Sequence, residues 1–316
     1  MSEATAAAAP FRSGFACLIG RPNVGKSTLV NALVGTKIAI TSPQPQTTRR
    51  VLRGVVHAPG AQLVLVDTPG VHRPRTLLGQ RLNDLARDAV AEVDVVTLCL
   101  PADGAIGPGD RMLAAHIATA GSPRHRPAVV IAVTRTDLVS RDRVAQALTA
   151  ASDLAAATPL DVADYVPTSA TTGSGVEALR EVLSALMPVG PPLFGAAQVQ
   201  DAPMDILIAE LVREAALDGV RDELPHSIAV VTEEIEARED RDPADPLTDV
   251  RVWLFVERDS QKGIVIGKGG ERLRDVGTRA RRGIEGLLGT RVHLDIRVKV
   301  AKDWQRDPAA LNRMGF

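Results

Sequence analysis

At 316 residues the chain is long for one ordinary domain and suits two. Its 45% hydrophobic content supports real cores, and with only 3% aromatic residues those cores are built from Ala, Val, Leu and Ile. No apolar run approaches the ~20 residues of a membrane-spanning helix, and two cysteines exclude a disulfide scaffold, so Cys17 and Cys99 read as core hydrophobes in a reducing compartment.

The net charge of −1 hides an internal contrast. Residues 201–250 carry 4 Lys/Arg against 15 Asp/Glu, whereas residues 251–316 carry 15 against 8. A basic C-terminal segment points to a polyanionic partner, and the acidic stretch before it is expected to hold or orient that segment when the partner is absent.

Residues 1–10 are Ala-rich and lack both a basic start and an apolar run, so 1–13 read as a disordered tail, not a signal peptide, and a cytoplasmic protein is expected. Strand-like apolar runs then cover 15–20, 51–56, 62–67, 93–100, 128–134 and 164–167. Helical patterns cover 26–35, 77–92, 108–120, 142–157 and 176–186. Continuous Val/Leu/Ile strands alternating with helices specify an α/β domain with a mostly parallel sheet covered on both faces, whose ligands bind at the carboxyl ends of the strands. Pro188, Gly190, Pro191 and Pro192 break the pattern, and 188–203 read as a linker. Beyond it come a helix from 204 to about 221, strands over 228–239 and 250–257, a short helix, a glycine loop, a helix over 271–288, a strand over 292–300 and a helix from Trp304. Segregated strands and helices make this second part, 204–316, a smaller α+β domain.

The first site motif is Gly20-Arg21-Pro22-Asn23-Val24-Gly25-Lys26-Ser27, between a strand and a helix. Gly20 and Gly25 permit a turn whose backbone N–H groups, with those of Val24 and Thr28, face a polyphosphate. Lys26 supplies positive charge to the β- and γ-phosphates, and the Ser27 hydroxyl is placed for Mg²⁺. The second is Asp67-Thr68-Pro69-Gly70 at the end of an apolar strand. Asp67 there anchors the metal through water, and the Gly70 backbone swings onto a γ-phosphate. In the loop Gln46-Thr47-Thr48-Arg49, Thr48 is the expected metal ligand, with Thr47 the alternative. Arg49 and Arg50 read as solvated residues of that loop in preference to internal arginine fingers.

Thr134-Arg135-Thr136-Asp137 and Ser169-Ala170 follow the next two strands. Asp137 can accept from N1–H and the exocyclic amine of guanine, and the Ala170 N–H can meet guanine O6, so GTP and GDP are the expected ligands.

Over 15–187 these motifs, in this order, resemble a small GTPase domain related to translation factors. The resemblance departs where that family has Asn-Lys-x-Asp and this chain has Thr134-Arg135-Thr136-Asp137. Loss of the asparagine implies loss of an amide that bonds the base and braces the phosphate loop, hence faster nucleotide exchange; Arg135 can still lie across the purine face. Val71 stands where Ras-like GTPases carry the glutamine that orients the attacking water, and His72 beside it reads as a bystander. Slow intrinsic hydrolysis is expected. Asn23 resembles the asparagine with which potassium-activated GTPases hold K⁺.

Gly267-Lys268-Gly269-Gly270 joins two helices and precedes a helix carrying Arg272, Arg274, Arg279, Arg281 and Arg282. Such a loop admits a nucleic-acid backbone and presents N–H groups and Lys268 to phosphates; the element order is similar to that of a type II KH domain, which grips single strands. A GTPase domain over 14–187 followed by such a KH domain resembles the Era family. That resemblance implies a monomer binding near the 3′ end of 16S rRNA during assembly of the small (30S) ribosomal subunit, with peripheral contact at the inner face of the membrane. The competing readings are a nucleotide-sensing RNA chaperone with incidental hydrolysis and a GTPase serving tRNA modification.

Overall fold

Six hydrophobic runs pair side by side into one sheet. They are β1 (Arg12–Ile19), β2 (Leu52–Ala58), β3 (Ala61–Asp67), β4 (Val95–Pro101), β5 (Ala128–Thr134) and β6 (Val162–Pro167), in the order β2-β3-β1-β4-β5-β6. Only β2 runs antiparallel, against β3; the remaining neighbours are parallel. All seven residues of β3 are buried, as a strand covered on both faces requires. The helices are α1 (Lys26–Val34), α2 (Leu77–Glu92), α3 (Pro108–Thr119), α4 (Arg141–Ala157) and α5 (Val176–Leu186). Leu113, Ile117 and Leu154 of α3 and α4 share a core with Cys17, Ile19, Leu98 and Ile131 of the sheet. Cys17 and Cys99 are fully buried, and that burial pushes both thiols up, Cys99 to about 12, so neither ionises near neutrality.

The computed structural model describes residues 10–42, 44, 47–71, 73–121, 126–220, 223–239, 242 and 245–316. The expected tail up to residue 9, Gln46, His72 and most of 240–244 lie outside the described residues. The chain packs as two units, neither continuous in sequence: one holds residues up to Ala39, Arg50–His72 and Asn83–Asp201, the other Ile40–Arg49, Arg73–Leu82 and Ala202–Phe316.

The proline-rich stretch read as a linker is laid onto the first unit as far as Asp201. The Gln62 side chain accepts from Leu193 N and Phe194 N at 2.6 and 2.9 Å and donates to Phe194 O, and Val55 N donates to Val199 O at 2.9 Å. Backbone groups on the edge strand β2 need partners, and this strap supplies them.

In the second unit, α6 (Met204–Leu217), α7 (Leu224–Ser227), β7 (Ala229–Ala237), β8 (Leu247–Val256), α8 (Asp259–Ile266), α9 (Glu271–Leu288), β9 (Arg291–Val300) and α10 (Pro308–Arg313) follow in order. The sheet order is β7-β8-β9, with β7/β8 antiparallel and β8/β9 parallel. Strict alternation along β8 puts Val250, Val252, Leu254 and Val256 into a core with Val212 of α6 and Val276, Ala280 and Ile284 of α9. Two helix limits differ from expectation. α6 stops at Leu217, ahead of Gly219 at φ 68°, and Arg272 of α9 donates to Ala216 O and Asp218 O at its end. The last helix begins at Pro308, not Trp304; the fully buried Trp304 sits in the preceding turn, donates to Ser227 O at 3.0 Å and stacks on Phe316. Three acids of the acidic stretch pair inside this unit, Asp218 with Arg279, Asp245 with Arg291 and Asp249 with Arg238, whereas Asp201 pairs with Arg53 of the first.

Ile40–Arg49 is part of this second core. Ile40 lies among Ile208, Val212 and Val230 side chains, Thr41 N donates to Glu214 Oε1 at 3.0 Å and the Gln44 amide donates to Val220 O at 2.8 Å. Arg213, paired with Glu210 at 2.8 Å, donates to Thr47 O. Arg49 corrects the solvated reading: it is 1% exposed, donates to Ile228 O, Pro225 O and His226 O at 2.6, 3.1 and 2.7 Å, and lies 5.7 Å from the Trp304 ring centre. Burial and the nearby Arg213 lower its pKa, while Glu210 and Glu257 act in the opposite sense. Removing this guanidinium leaves three carbonyls short of a donor. Arg49→Ala is therefore expected to cost about 3 kcal/mol of stability. Both tryptophans of the chain, Trp253 and Trp304, lie in this unit, so their fluorescence in a denaturant titration reads it directly; an unchanged midpoint would refute the role.

Candidate nucleotide site and RNA clamp

Parallel strands deliver their carboxyl ends to one edge, and four sequence motifs of the first unit meet there. After β1 the phosphate loop turns through Asn23 at φ 62° and Gly25 at φ 94° into the N-terminus of α1. Lys26 is 6% exposed and donates from Nζ to Gly20 O and Arg21 O at 3.2 and 3.0 Å. Burial lowers its pKa and Asp67 opposes that shift. A cation held by carbonyl oxygens inside a loop of inward N–H groups is a receptor for a polyphosphate. Thr28 follows on the exposed side of α1.

Neighbouring β3 brings Asp67 beside the loop. Ser27 Oγ donates to the fully buried Asp67 Oδ2 at 2.9 Å, and Thr68 Oγ1 donates to Leu18 O at 2.7 Å. A hydroxyl and a carboxylate oxygen at this spacing suit a hard, oxygen-liganded cation of the Mg²⁺ class, which Ser27 and Asp67 would hold. Bound there with its nucleotide, the ion would supply positive charge to the β- and γ-phosphates. Gly70 must be glycine where it stands, because a Cβ there would lie 2.9 Å from Pro22 N and Cα of the phosphate loop. Val71 is buried in the core, so its side chain orients no water.

The segments after β5 and β6 lie side by side. Asp137 is exposed in a single 3₁₀ turn, Thr136–Leu138. Thr136 N donates to Thr168 O at 3.2 Å, tying this turn to the Ser169–Ala170 segment, where Ser169 is buried and Ala170 half-buried. The Thr134 hydroxyl donates to Val24 O at 2.6 Å. The brace expected to vanish with the asparagine is therefore present, supplied by a hydroxyl. Arg135 adopts φ 60° and reaches the phosphate loop and Asp103, so in this structure its guanidinium is engaged by protein groups. Thr48 belongs to the segment packed in the second unit and is 7% exposed, while the Thr47 hydroxyl donates to Gln44 O at 2.6 Å.

In the second unit, α8 and α9 are joined by Gly267-Lys268-Gly269-Gly270, with the three glycines at φ 74°, 60° and 80°. Positive φ at three of four positions requires glycine and leaves Lys268 and Gly269 projecting. Val265 is buried beneath the loop and Ile264 is 55% exposed beside it. Arg274 is exposed, whereas Arg272 is committed to the carbonyls that end α6; of the two arginines assigned to RNA, one is structural.

Two family models match the chain: one described as a 50S ribosome-binding GTPase over residues 15–135, the other as a KH domain over 223–305. The GTPase Era of Mycobacterium avium (strain 104) is 60% identical over 306 residues, covering 97% of this chain and 99% of that protein. The chain belongs to the Era family of GTPases. The GTPase Era of Mycobacterium tuberculosis (strain ATCC 25177 / H37Ra) is 58% identical over the same span. A crystal structure of Era with MgGDPNP and nucleotides 1506–1542 of 16S ribosomal RNA matches with a TM-score of 0.87 at 34% identity, covering 96% of this chain and 99% of that one. A point variant of Aquifex aeolicus Era bound to GDP·AlF4⁻ matches equally well.

In the second unit, sequence reasoning missed the packing roles of Arg49, Arg213 and Glu210, which carry no local signal because their partners lie more than 160 residues away or in a helix read as an ordinary amphipathic face. It also missed that a threonine hydroxyl can replace the asparagine brace. Thr134→Val keeps the side chain's shape and removes the hydroxyl's bonds to Val24 O at 2.6 Å and Leu100 O at 3.4 Å. GDP release, followed with a fluorescent analogue, is expected to quicken about five- to tenfold, the worth of about 1 to 1.5 kcal/mol; an unchanged rate would show that the hydroxyl does not brace the loop.

Proposed function

We propose that this Era-family GTPase uses its nucleotide state to control a grip on the single-stranded 3′ end of 16S rRNA, and so serves in assembly of the 30S subunit. The observation that carries the reading is the presence, in one chain, of a guanine-type phosphate loop and an open Gly267–Gly270 turn whose only charged side chain is projecting Lys268. The relative crystallised with nucleotides 1506–1542 of 16S ribosomal RNA names the RNA.

In this scheme Lys26, Ser27, Gly20, Val24, Gly25 and Thr28 hold the phosphates, Ser27, Thr48 and Asp67 serve Mg²⁺, and Gly70 senses the γ-phosphate. Asp137, Ser169 and Ala170 select guanine, with Thr134 and Arg135 supporting them. Lys268, the glycines around it and Arg274 meet the RNA backbone. The protein acts as a cytoplasmic monomer, and its basic C-terminal segment is the part that would meet an anionic membrane surface. Buried Val71 favours slow unassisted turnover, which is also what an RNA chaperone with incidental hydrolysis would show. Single-turnover rates with and without 30S subunits separate the two: acceleration by the subunit supports the assembly GTPase, and equal rates support the chaperone.

Lys268→Ala should weaken binding of the full chain to a 16S 3′-end oligonucleotide and lower the slope of log affinity against log salt by about 1, the signature of one lost phosphate contact. An unchanged slope removes Lys268 from the clamp. Asn23, at φ 62° on the phosphate loop, is assigned to K⁺. Turnover should fall when Na⁺ replaces K⁺, and Asn23→Ala should abolish the difference; equal turnover in the two salts refutes the assignment.

A further inference from the structure

Two arginines, one within the phosphate loop and one beside it, are held by carboxylates of one short stretch, the connection from β4 to α3 and the first turn of α3. Arg21, the second residue of the loop, donates from Nε to Asp110 Oδ1 at 2.8 Å and from Nη2 to Ala105 O at 3.1 Å. Asp110 is 0% exposed, and its other oxygen accepts from Gly107 N at 2.8 Å, so its direction is fixed. The carbonyl of the same Arg21 accepts from Lys26 Nζ. Asp110 thus acts on the phosphate-binding lysine through one residue.

At the other end of the loop, Arg135 donates to Asn23 O at 3.4 Å and pairs through Nη2 with Asp103 Oδ2 at 3.0 Å. Its Cγ would lie 3.8 Å from a Cβ built on Gly25. The side chain therefore crosses the outer surface of the loop from the base-side strand to the β4–α3 connection. Asp103 and Arg135 are 28% and 40% exposed at their side chains, an ion pair of surface strength, whereas Asp110 is sealed from solvent.

We propose that the β4–α3 connection and the first turn of α3 together form a positioning element that sets the lifetime of bound nucleotide, through Asp103 on Arg135 and Asp110 on Arg21. None of the four side chains needs to touch the reacting atoms. They hold the loop in the curvature that aims its N–H groups and Lys26 inward, so the nucleotide does not have to order it on arrival. The element supplements the Thr134 hydroxyl, which donates to Val24 O. The inference rests on guanine nucleotide binding at this loop.

The test is dissociation of a fluorescent GDP analogue from the full chain. Asp103→Ala should release it about two- to fivefold faster, the range of an exposed ion pair. Arg135→Ala should do the same, and the double variant should be no faster than the faster single one. Asp103→Glu should restore the slow rate. Wild-type release should quicken with added salt, and that dependence should flatten in Asp103→Ala. Asp110→Asn should release about tenfold faster, in keeping with a buried charged pair; should it fail to fold, Asp103 decides alone. A wild-type release rate in Asp103→Ala, or effects of Asp103 and Arg135 that simply multiply, would overturn the proposal. Failure of the unaltered chain to bind the analogue would instead sink the nucleotide reading beneath it.

Discussion

The 2.9 Å bond from Ser27 Oγ to Asp67 Oδ2 is available only because β1 and β3 are adjacent and parallel. Forty residues separate the two groups, yet a parallel pair sends both strand ends to the same edge of the sheet. Around that meeting point the remaining chemistry is arranged. Lys26 follows from the turn after β1, Gly70 from the exit of β3, and Thr134 and Ser169 from the ends of β5 and β6. Each lies where its strand stops, so the α/β architecture acts as a jig for polar groups that have no reason to approach one another otherwise.

A second constraint governs the loop of Thr47 and Thr48. Polar, proline-containing surface loops are ordinarily weakly packed. Here Ile40–Arg49 is instead written into the core of the RNA-binding unit. Arg49 is spread over three carbonyls and the face of Trp304, Arg213 holds Thr47 O, and Ile40 fills apolar space. Any change in the conformation of this segment is consequently a change in the packing of the second unit. The cost is carried by desolvated guanidinium groups, for which partial loss of partners is expensive.

Arginine is the residue that makes both devices possible. Its planar, multiply donating head can satisfy several carbonyls at once, as Arg49 and Arg272 do, or join a carbonyl to a carboxylate, as Arg21 and Arg135 do. A lysine at position 135, as in the family pattern, would reach the loop as a point charge. The guanidinium reaches Asn23 O and Asp103 together, so the departure at 134–135 keeps the loop braced by different means.

The sequence by itself determined the class of both folds, the strand–loop–helix setting of the phosphate-loop motif and the glycine turn between α8 and α9. Those features depend on local rules: apolar runs of strand length, helical periodicity, and glycines where backbone must approach a ligand or adopt positive φ. α2, α5 and α9 were legible to the residue at both ends. What only the tertiary structure decided was the ownership of polar groups. Arg49 looked solvated because it stands between a threonine and an arginine in a polar loop, but its partners are contributed by residues 225–228. Arg272 looked like an RNA ligand because it lies in a basic helix, but the end of α6 claims it. Thr134 looked like a lost amide until β5 placed its hydroxyl against Val24 O. Hydrophobic burial follows patterns that recur every two or 3.6 residues, whereas a hydrogen bond or ion pair follows only from where two distant stretches of chain come to rest.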